Sequence, residues 1–159
     1  MALTCRAARD LPYAQADLFA LVADIERYPH FMPGWRAARI LARHPDGVTV
    51  RQIVTIAGLR QDFTTRAWIL PPARLRILST DGPFRRFELL WRFTPRPDGG
   101  TRVEGTLTLS LRAPLLTALA ARLRPDLLAA VVAALERRAA ARLTPVPRAS
   151  PPAPAPDPS

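Results

Sequence analysis

Asp81-Gly82-Pro83-Phe84-Arg85-Arg86-Phe87-Glu88-Leu89-Leu90-Trp91-Arg92-Phe93 reads as a turn that feeds a long strand. Gly82 tolerates a positive φ, and Pro83 fixes φ and removes a donor, so the pair punctuates the backbone. Beyond it, side chains alternate between faces. Phe87, Leu89, Trp91 and Phe93 share one face; Arg86, Glu88 and Arg92 share the other, with Leu90 as the exception. Three large aromatics on one face need a broad apolar cover, which is either a helix or a bound ligand.

The cover is legible further along the chain. Residues 101–111 form another strand, with Val103, Leu107, Leu109 and Leu111 on one face and Gly105 as a gap among them. From Pro114 the period becomes helical. Leu115, Leu116, Leu119 and Leu123, then Leu127, Leu128, Val131, Val132 and Leu135, form an Ala-rich stripe to about Leu143. Pro125 falls inside the stripe, where a break or kink is expected. From Thr144 onward the sequence is Pro, Ala and Ser. That composition predicts a disordered or polyproline-like tail over residues 144–159.

Upstream, residues 3–10 read as a first strand. A helix follows Pro12, with Leu18, Phe19, Leu21, Val22 and Ile25 at three- and four-residue spacings. Tyr28-Pro29 is expected to stop it. Residues 36–43, 48–56, 60–70 and 75–79 read as further strands, separated by His44-Pro45-Asp46-Gly47, Ala57-Gly58 and Pro71-Pro72. In the 48–56 strand, Gln52 interrupts an apolar face of Val48, Val50, Val54 and Ile56. Strands joined by short turns imply an antiparallel sheet. One apolar sheet face and one long apolar helix imply a curved sheet gripping that helix.

Tyr28-Pro29-His30-Phe31-Met32-Pro33-Gly34-Trp35 is too broken for a long element and too apolar for a solvated loop. It either plugs the end of the core or forms a mobile apolar lid or membrane-touching edge. The composition favours the plug.

The chain has 159 residues and a net charge of +10, and all 23 basic residues are Arg. This is one domain with a tail. The charge favours anionic surfaces, phospholipid or nucleic acid, unless it is only a solvated surface. A lone cysteine, Cys5, excludes an intrachain disulfide and fits a reducing compartment. The first residues lack the apolar core of a secretory signal, and no run is long enough to span a bilayer. His30 and His44 have no ligand-like spacing, so no metal site is expected. Asp24 and Glu26, two apart, do not face each other as an acid–base pair would. No catalytic residue is singled out. Gln52, Thr65 and Ser79 are the polar groups available to a cavity, and each is more often structural.

The order of elements, with residues 18–33, Asp81-Gly82-Pro83-Phe84, Phe87, Trp91, Phe93, Thr101-Arg102-Val103-Glu104 and residues 134–139, resembles the START-like helix-grip (SRPBCC) superfamily. It is most similar to the coenzyme Q-binding and polyketide cyclase-like branch, which includes the ribosome association toxin A proteins. The resemblance covers residues 1–143. It implies an α+β fold in which a curved antiparallel sheet of about seven strands wraps a long C-terminal helix, with a short helix pair after the first strand. It also implies a cavity between sheet and helix for a lipophilic molecule, an isoprenoid quinone in the named branch. The family usually has aromatics near Gly105 and Leu135; smaller residues there are expected to widen or reshape the cavity.

The expected cavity and lid residues are Phe31, Met32, Pro33, Trp35, Phe63, Pro83, Phe84, Phe87, Leu89, Trp91, Leu107, Leu109, Val131 and Leu135. Phe31 to Trp35 would gate the space, with the Gly82-Pro83-Phe84 turn at its mouth. The leading expectation is a non-enzymatic carrier of a ubiquinone-like ligand that supports respiration. It would be cytoplasmic, with peripheral contact to an anionic inner membrane, and no cofactor or DNA is expected. Two alternatives stand beside it: a ribosome-associating translation inhibitor and a polyketide aromatase or cyclase.

Overall fold

The structure is a computed structural model that describes residues 2–56 and 58–147. Seven strands form one open antiparallel sheet: β1 (Leu3–Leu11), β2 (Trp35–His44), β3 (Gly47–Ile56), β4 (Leu59–Leu70), β5 (Arg74–Ser79), β6 (Phe84–Pro95) and β7 (Thr101–Leu111). Their spatial order is β1-β7-β6-β5-β4-β3-β2, so the first and last strands pair while the rest form a meander. Two helices complete the fold, α1 (Gln15–Ala23) and α2 (Pro114–Arg142).

The alternation read on residues 87–93 holds. Phe87, Leu89, Trp91 and Phe93 are all buried. So are Leu75 and Ile77 on β5, Phe63 and Ala67 on β4, and Val48, Val50 and Val54 on β3. These residues line the concave face. The opposite face carries Arg66, Trp68, Arg74, Arg76, Glu88 and Arg92, none of them buried.

Two local expectations are corrected. Tyr28-Pro29 does not end α1; the helix stops at Ala23, and residues Ile25–His30 form a 3₁₀ turn that contains Pro29. In a 3₁₀ turn, residues three apart eclipse. Ile25 and Tyr28 therefore point the same way, and both are buried. Pro125 does not break α2, which runs unbroken for 29 residues. A proline there forfeits one helical hydrogen bond. Buried residues on both sides, Ala120 before it and Leu128, Val131, Val132 and Leu135 after it, hold the two halves on the core.

The predicted tail lies outside the described residues from position 148. Residues 144–147 of it are described: next to Leu143, which packs against the core, the Val146 N–H donates to the Pro12 carbonyl at 2.8 Å.

Widths explain where space is left. Seven strands about 4.8 Å apart span roughly 29 Å, whereas one helix is only about 10–12 Å across. α2 lies over β1 and β7. α1 covers part of β5 and β6, and the 3₁₀ turn lies against β2. A seam remains between α2 and the segment after the 3₁₀ turn.

Candidate functional site

The seam holds an apolar cavity of about 80 Å³. Its walls are Val54 and Thr55 of β3, Phe87 of β6, Leu107 and Leu109 of β7, and Val131 of α2; Pro33, Gly34 and Trp35 form its rim. A larger depression of about 250 Å³ lies beside β1, between Asp10, Leu11, Pro12, Arg96, Asp98 and Val146. There the Arg96 guanidinium is engaged by Asp10 at 2.7 Å and Asp98 at 3.5 Å. The seam cavity, apolar and between the layers, is the candidate site.

The rim is held from below by a buried polar relay. Trp35 Nε1 donates to Gln52 Oε1 at 2.6 Å, Gln52 Nε2 donates to Thr65 Oγ1 at 2.9 Å, and Thr65 donates to the Val50 carbonyl at 3.0 Å. Gln52 is fully buried, and this relay is why a polar residue can interrupt the apolar face of β3. The backbone adds a second tie, from the Thr55 N–H to the Gly34 carbonyl at 2.8 Å. Gly34 sits at φ +84°, and a Cβ there would stand 3.2 Å from the Thr55 carbonyl oxygen. The close approach of the rim to β3 therefore favours glycine.

Aromatic contacts fix the rest of the segment. Tyr28 is fully buried, and its ring meets Phe31 and Trp35 edge-on at 5.9 and 5.8 Å. Its hydroxyl donates to the Val22 carbonyl, and burial pushes its ionisation well above the ordinary tyrosine range. Met32 is buried, Phe31 is half-buried, and Pro33 and Gly34 are exposed. The Arg138 guanidinium of α2 lies over the Phe31 ring, 5.2 Å from its centre. That cation–π contact joins the segment to the long helix across the seam.

The structure brings together Pro33, Trp35, Phe87, Leu107, Leu109 and Val131 of the residues expected from sequence. It also places Gly34, Val54 and Thr55 at the cavity. Thr55 and Val54 were missed because alternation assigns faces but not which stretch of a face a helix leaves bare. Phe63, Phe84 and Phe87 form a cluster with ring centres 4.6–5.3 Å apart, of which only Phe87 reaches the cavity. Trp91 stacks on Phe93 at 6.3 Å, and Phe93 meets Phe19 of α1 at 5.5 Å. Leu89 and Leu135 are buried in the core away from the cavity lining. The Gly82-Pro83-Phe84 turn packs on β4, where a Cβ at Gly82 would stand 2.8 Å from the Asp62 carbonyl oxygen. The gap expected at Gly105 is filled by Leu128, whose methyls lie 3.4 Å from where a Cβ would be.

Of the polar groups considered, Gln52 and Thr65 are engaged in the relay, and Ser79 donates to the Thr64 carbonyl at 2.6 Å. Among the described residues no cluster has the make-up of a metal site, and no helix is long and apolar enough to cross a membrane. Replacing Gln52 by Leu strands the Trp35 N–H. The expected result is a loss of about 1–2 kcal/mol in urea unfolding and faster solvent exchange of the Trp35 indole proton by NMR.

A seven-stranded antiparallel sheet closed over a long C-terminal helix, with an apolar space between the layers, defines the START-like helix-grip class. Residues 11–136 match the family described as polyketide cyclase / dehydrase and lipid transport, and the chain belongs to that family. Ribosome association toxin RatA of Escherichia coli K12 is 32% identical over 81% of this chain and 82% of its own length. The mitochondrial coenzyme Q-binding protein of Drosophila melanogaster is 27% identical over 52% of this chain and 35% of its own. Among solved structures, a protein from Thermus thermophilus superposes with a TM-score of 0.77 at 26% identity, covering 87% of this chain and 98% of that one. The Zhui aromatase/cyclase from a Streptomyces species has a TM-score of 0.71 at 19% identity, covering 91% and 100%, a likeness of fold alone.

Proposed function

We propose that this protein holds a lipophilic molecule of the isoprenoid-quinone class in the seam cavity and hands it on to respiratory chemistry, with residues 31–35 as the gate. The observation that carries the reading is the cavity wall itself. Val54, Phe87, Leu107, Leu109 and Val131 supply apolar surface, and the two polar side chains at its edge, Trp35 and Thr55, already have partners. Such a space favours holding an apolar molecule over converting it by acid–base chemistry.

At about 80 Å³ the cavity is smaller than the roughly 300–1,000 Å³ of ordinary ligand sites. Loading therefore requires residues 31–35 to swing away from α2, which breaks the Phe31–Arg138 contact. Short-chain ubiquinone added to the protein is expected to quench tryptophan emission in a saturable way, and the saturable part should be lost in Trp35→Phe. Phe31→Ala should alter the loading rate while the far-UV circular dichroism stays unchanged. Protein that neither yields quinone on organic extraction nor takes it up removes the proposal; unfolding of Phe31→Ala shows that the segment is a plug.

A second reading, contact with the ribosome, is favoured by the extent of similarity. The RatA match spans 82% of that protein, against 35% of the coenzyme Q-binding protein. Co-sedimentation with ribosomal subunits at moderate salt tests it, and its absence there ends it.

A further inference from the structure

We infer that the convex face of the sheet, at β4–β5–β6, is an RNA-binding surface. Trp68 and its flanking guanidiniums would receive bases, and Arg74 and Arg92 would receive the phosphodiester backbone. The inference deepens the ribosome reading and is independent of the cavity, which lies on the other side of the same sheet.

The first observation is a cation–aromatic stack. The guanidinium carbons of Arg66 and Arg76 lie 5.0 and 5.5 Å from the centre of the Trp68 ring. Trp68 and Arg76 are directly opposed across β4 and β5. Both helices lie on the concave face, where Phe19 meets Phe93 and Leu128 meets Gly105, so this stack faces solvent. Guanidiniums stacked over an indole present their outer planes as a platform on which unstacked bases settle.

The second observation is a pair of opposed arginines, next to which the Glu104 carboxylate, opposite Arg92 on β7, is engaged by Arg102 at 3.7 Å. Arg74 and Arg92 are directly opposed across β5 and β6, and both are exposed. Among the described residues, neither has a carboxylate partner. Like charges directly opposite destabilise a sheet. Opposed residues have Cα atoms about 4.5–5.5 Å apart, so both guanidiniums reach one phosphate.

A purely structural account covers only half of this. Arg66 pairs with Asp46 and Arg76 with Glu88, so those two serve to shield the ring. Shielding leaves Arg74 and Arg92 exposed and without an ion pair among the described residues. An anionic membrane would relieve the same charge, but Trp68 is half-buried and capped by two cations. A ring so placed cannot insert between lipids, whereas it can stack.

The test is fluorescence anisotropy of the full chain with a labelled single-stranded RNA at about 50 and 200 mM salt, where phosphate contacts predict a steep loss of affinity. Wild-type protein is expected to bind, Trp68→Ala to weaken binding about tenfold, and Arg74→Glu with Arg92→Glu to abolish it. Far-UV circular dichroism and the urea midpoint should be unchanged in each, which reports an intact fold. The control is Arg137→Glu with Arg142→Glu on exposed positions of α2, an equal change in charge that should leave binding within about twofold. Failure of wild-type RNA binding, or an equal loss in the control, overturns the inference. So does loss of binding to phosphatidylglycerol vesicles in the β5–β6 variant while RNA binding persists. Ribosomal co-sedimentation that survives in that variant sinks the surface and keeps the ribosome reading. RNA binding without co-sedimentation sinks the reading and keeps the surface.

Discussion

Trp91→Ala is expected to destabilise the protein by about 3–5 kcal/mol, the largest loss of any single truncation in this core. Trp91 is the largest of the fully buried side chains. Its ring stacks on Phe93, and it sits between Leu75 and Gly105 in the sheet register. With glycine on one side, no neighbouring side chain of β7 can relax into the hole. For a domain of this size the loss should lower the melting temperature by roughly 10 °C, read by differential scanning calorimetry. Trp91→Phe provides the contrast. The indole Nε1 is buried with no hydrogen-bond partner, so phenylalanine removes an unsatisfied donor along with the ring volume. Its cost should be about 1 kcal/mol, far below that of alanine. Equal losses in the two variants would show that the volume argument is wrong.

Gly47→Ala carries the second large effect. A Cβ at Gly47 would fall 1.9 Å from the Ala67 carbonyl oxygen, a backbone atom that cannot rotate aside. Gly47 opens β3, opposite Trp68 of β4, so the first rung of that strand pair must separate. The Asp46 carbonyl accepts the Ile69 N–H at 2.9 Å, and the Asp46 carboxylate holds Arg66, so the disturbance spreads to both. The expected cost is about 3 kcal/mol, seen as a lower urea midpoint with an unchanged slope. Gly58→Ala is the matched comparison. Gly58 has φ +79° but nothing within 4 Å of its would-be Cβ, so only the backbone conformation is strained. That penalty is about 1–2 kcal/mol, and a Gly58 variant as damaged as the Gly47 one would refute the steric account.

The sheet and the long helix were legible because each shows its period over many residues. Phe87 to Phe93 and Val103 to Leu111 alternate, and Leu115 to Leu135 repeat helically. The end of α1 was not legible, because Leu18, Phe19, Leu21, Val22 and Ile25 fit an α-helix, while Ile25, Tyr28 and Phe31 fit a 3₁₀ turn equally well. Pro125 misled because a local propensity was set against a buried stripe on both sides, and the stripe won. At the cavity, Leu107, Leu109 and Val131 could be named from their faces. Trp35 could be named as well, but its anchor could not. Gln52 lies 17 residues away, and their meeting depends on the register shift between Trp35 and Ala37. Trp68 with its two arginines was missed for a similar reason: Arg66 and Trp68 are neighbours in sequence, but Arg76 joins them only through the β4–β5 register.

The pairing of β1 with β7 sets a timetable for synthesis. Leu3 finds its partner in Leu109, so the amino-terminal strand has nothing to bind until most of the chain has been made. At about 5–20 residues per second, that wait is of the order of 5–20 s. During it, β2 to β6 can already form a meander, yet only α1 and the 3₁₀ turn cover their apolar face, since α2 follows the sheet in the chain. The nascent protein therefore carries part of its lipophilic surface bare while still tethered to the machine that makes it. Completion of the domain, by contacts so distant in sequence, should be slow.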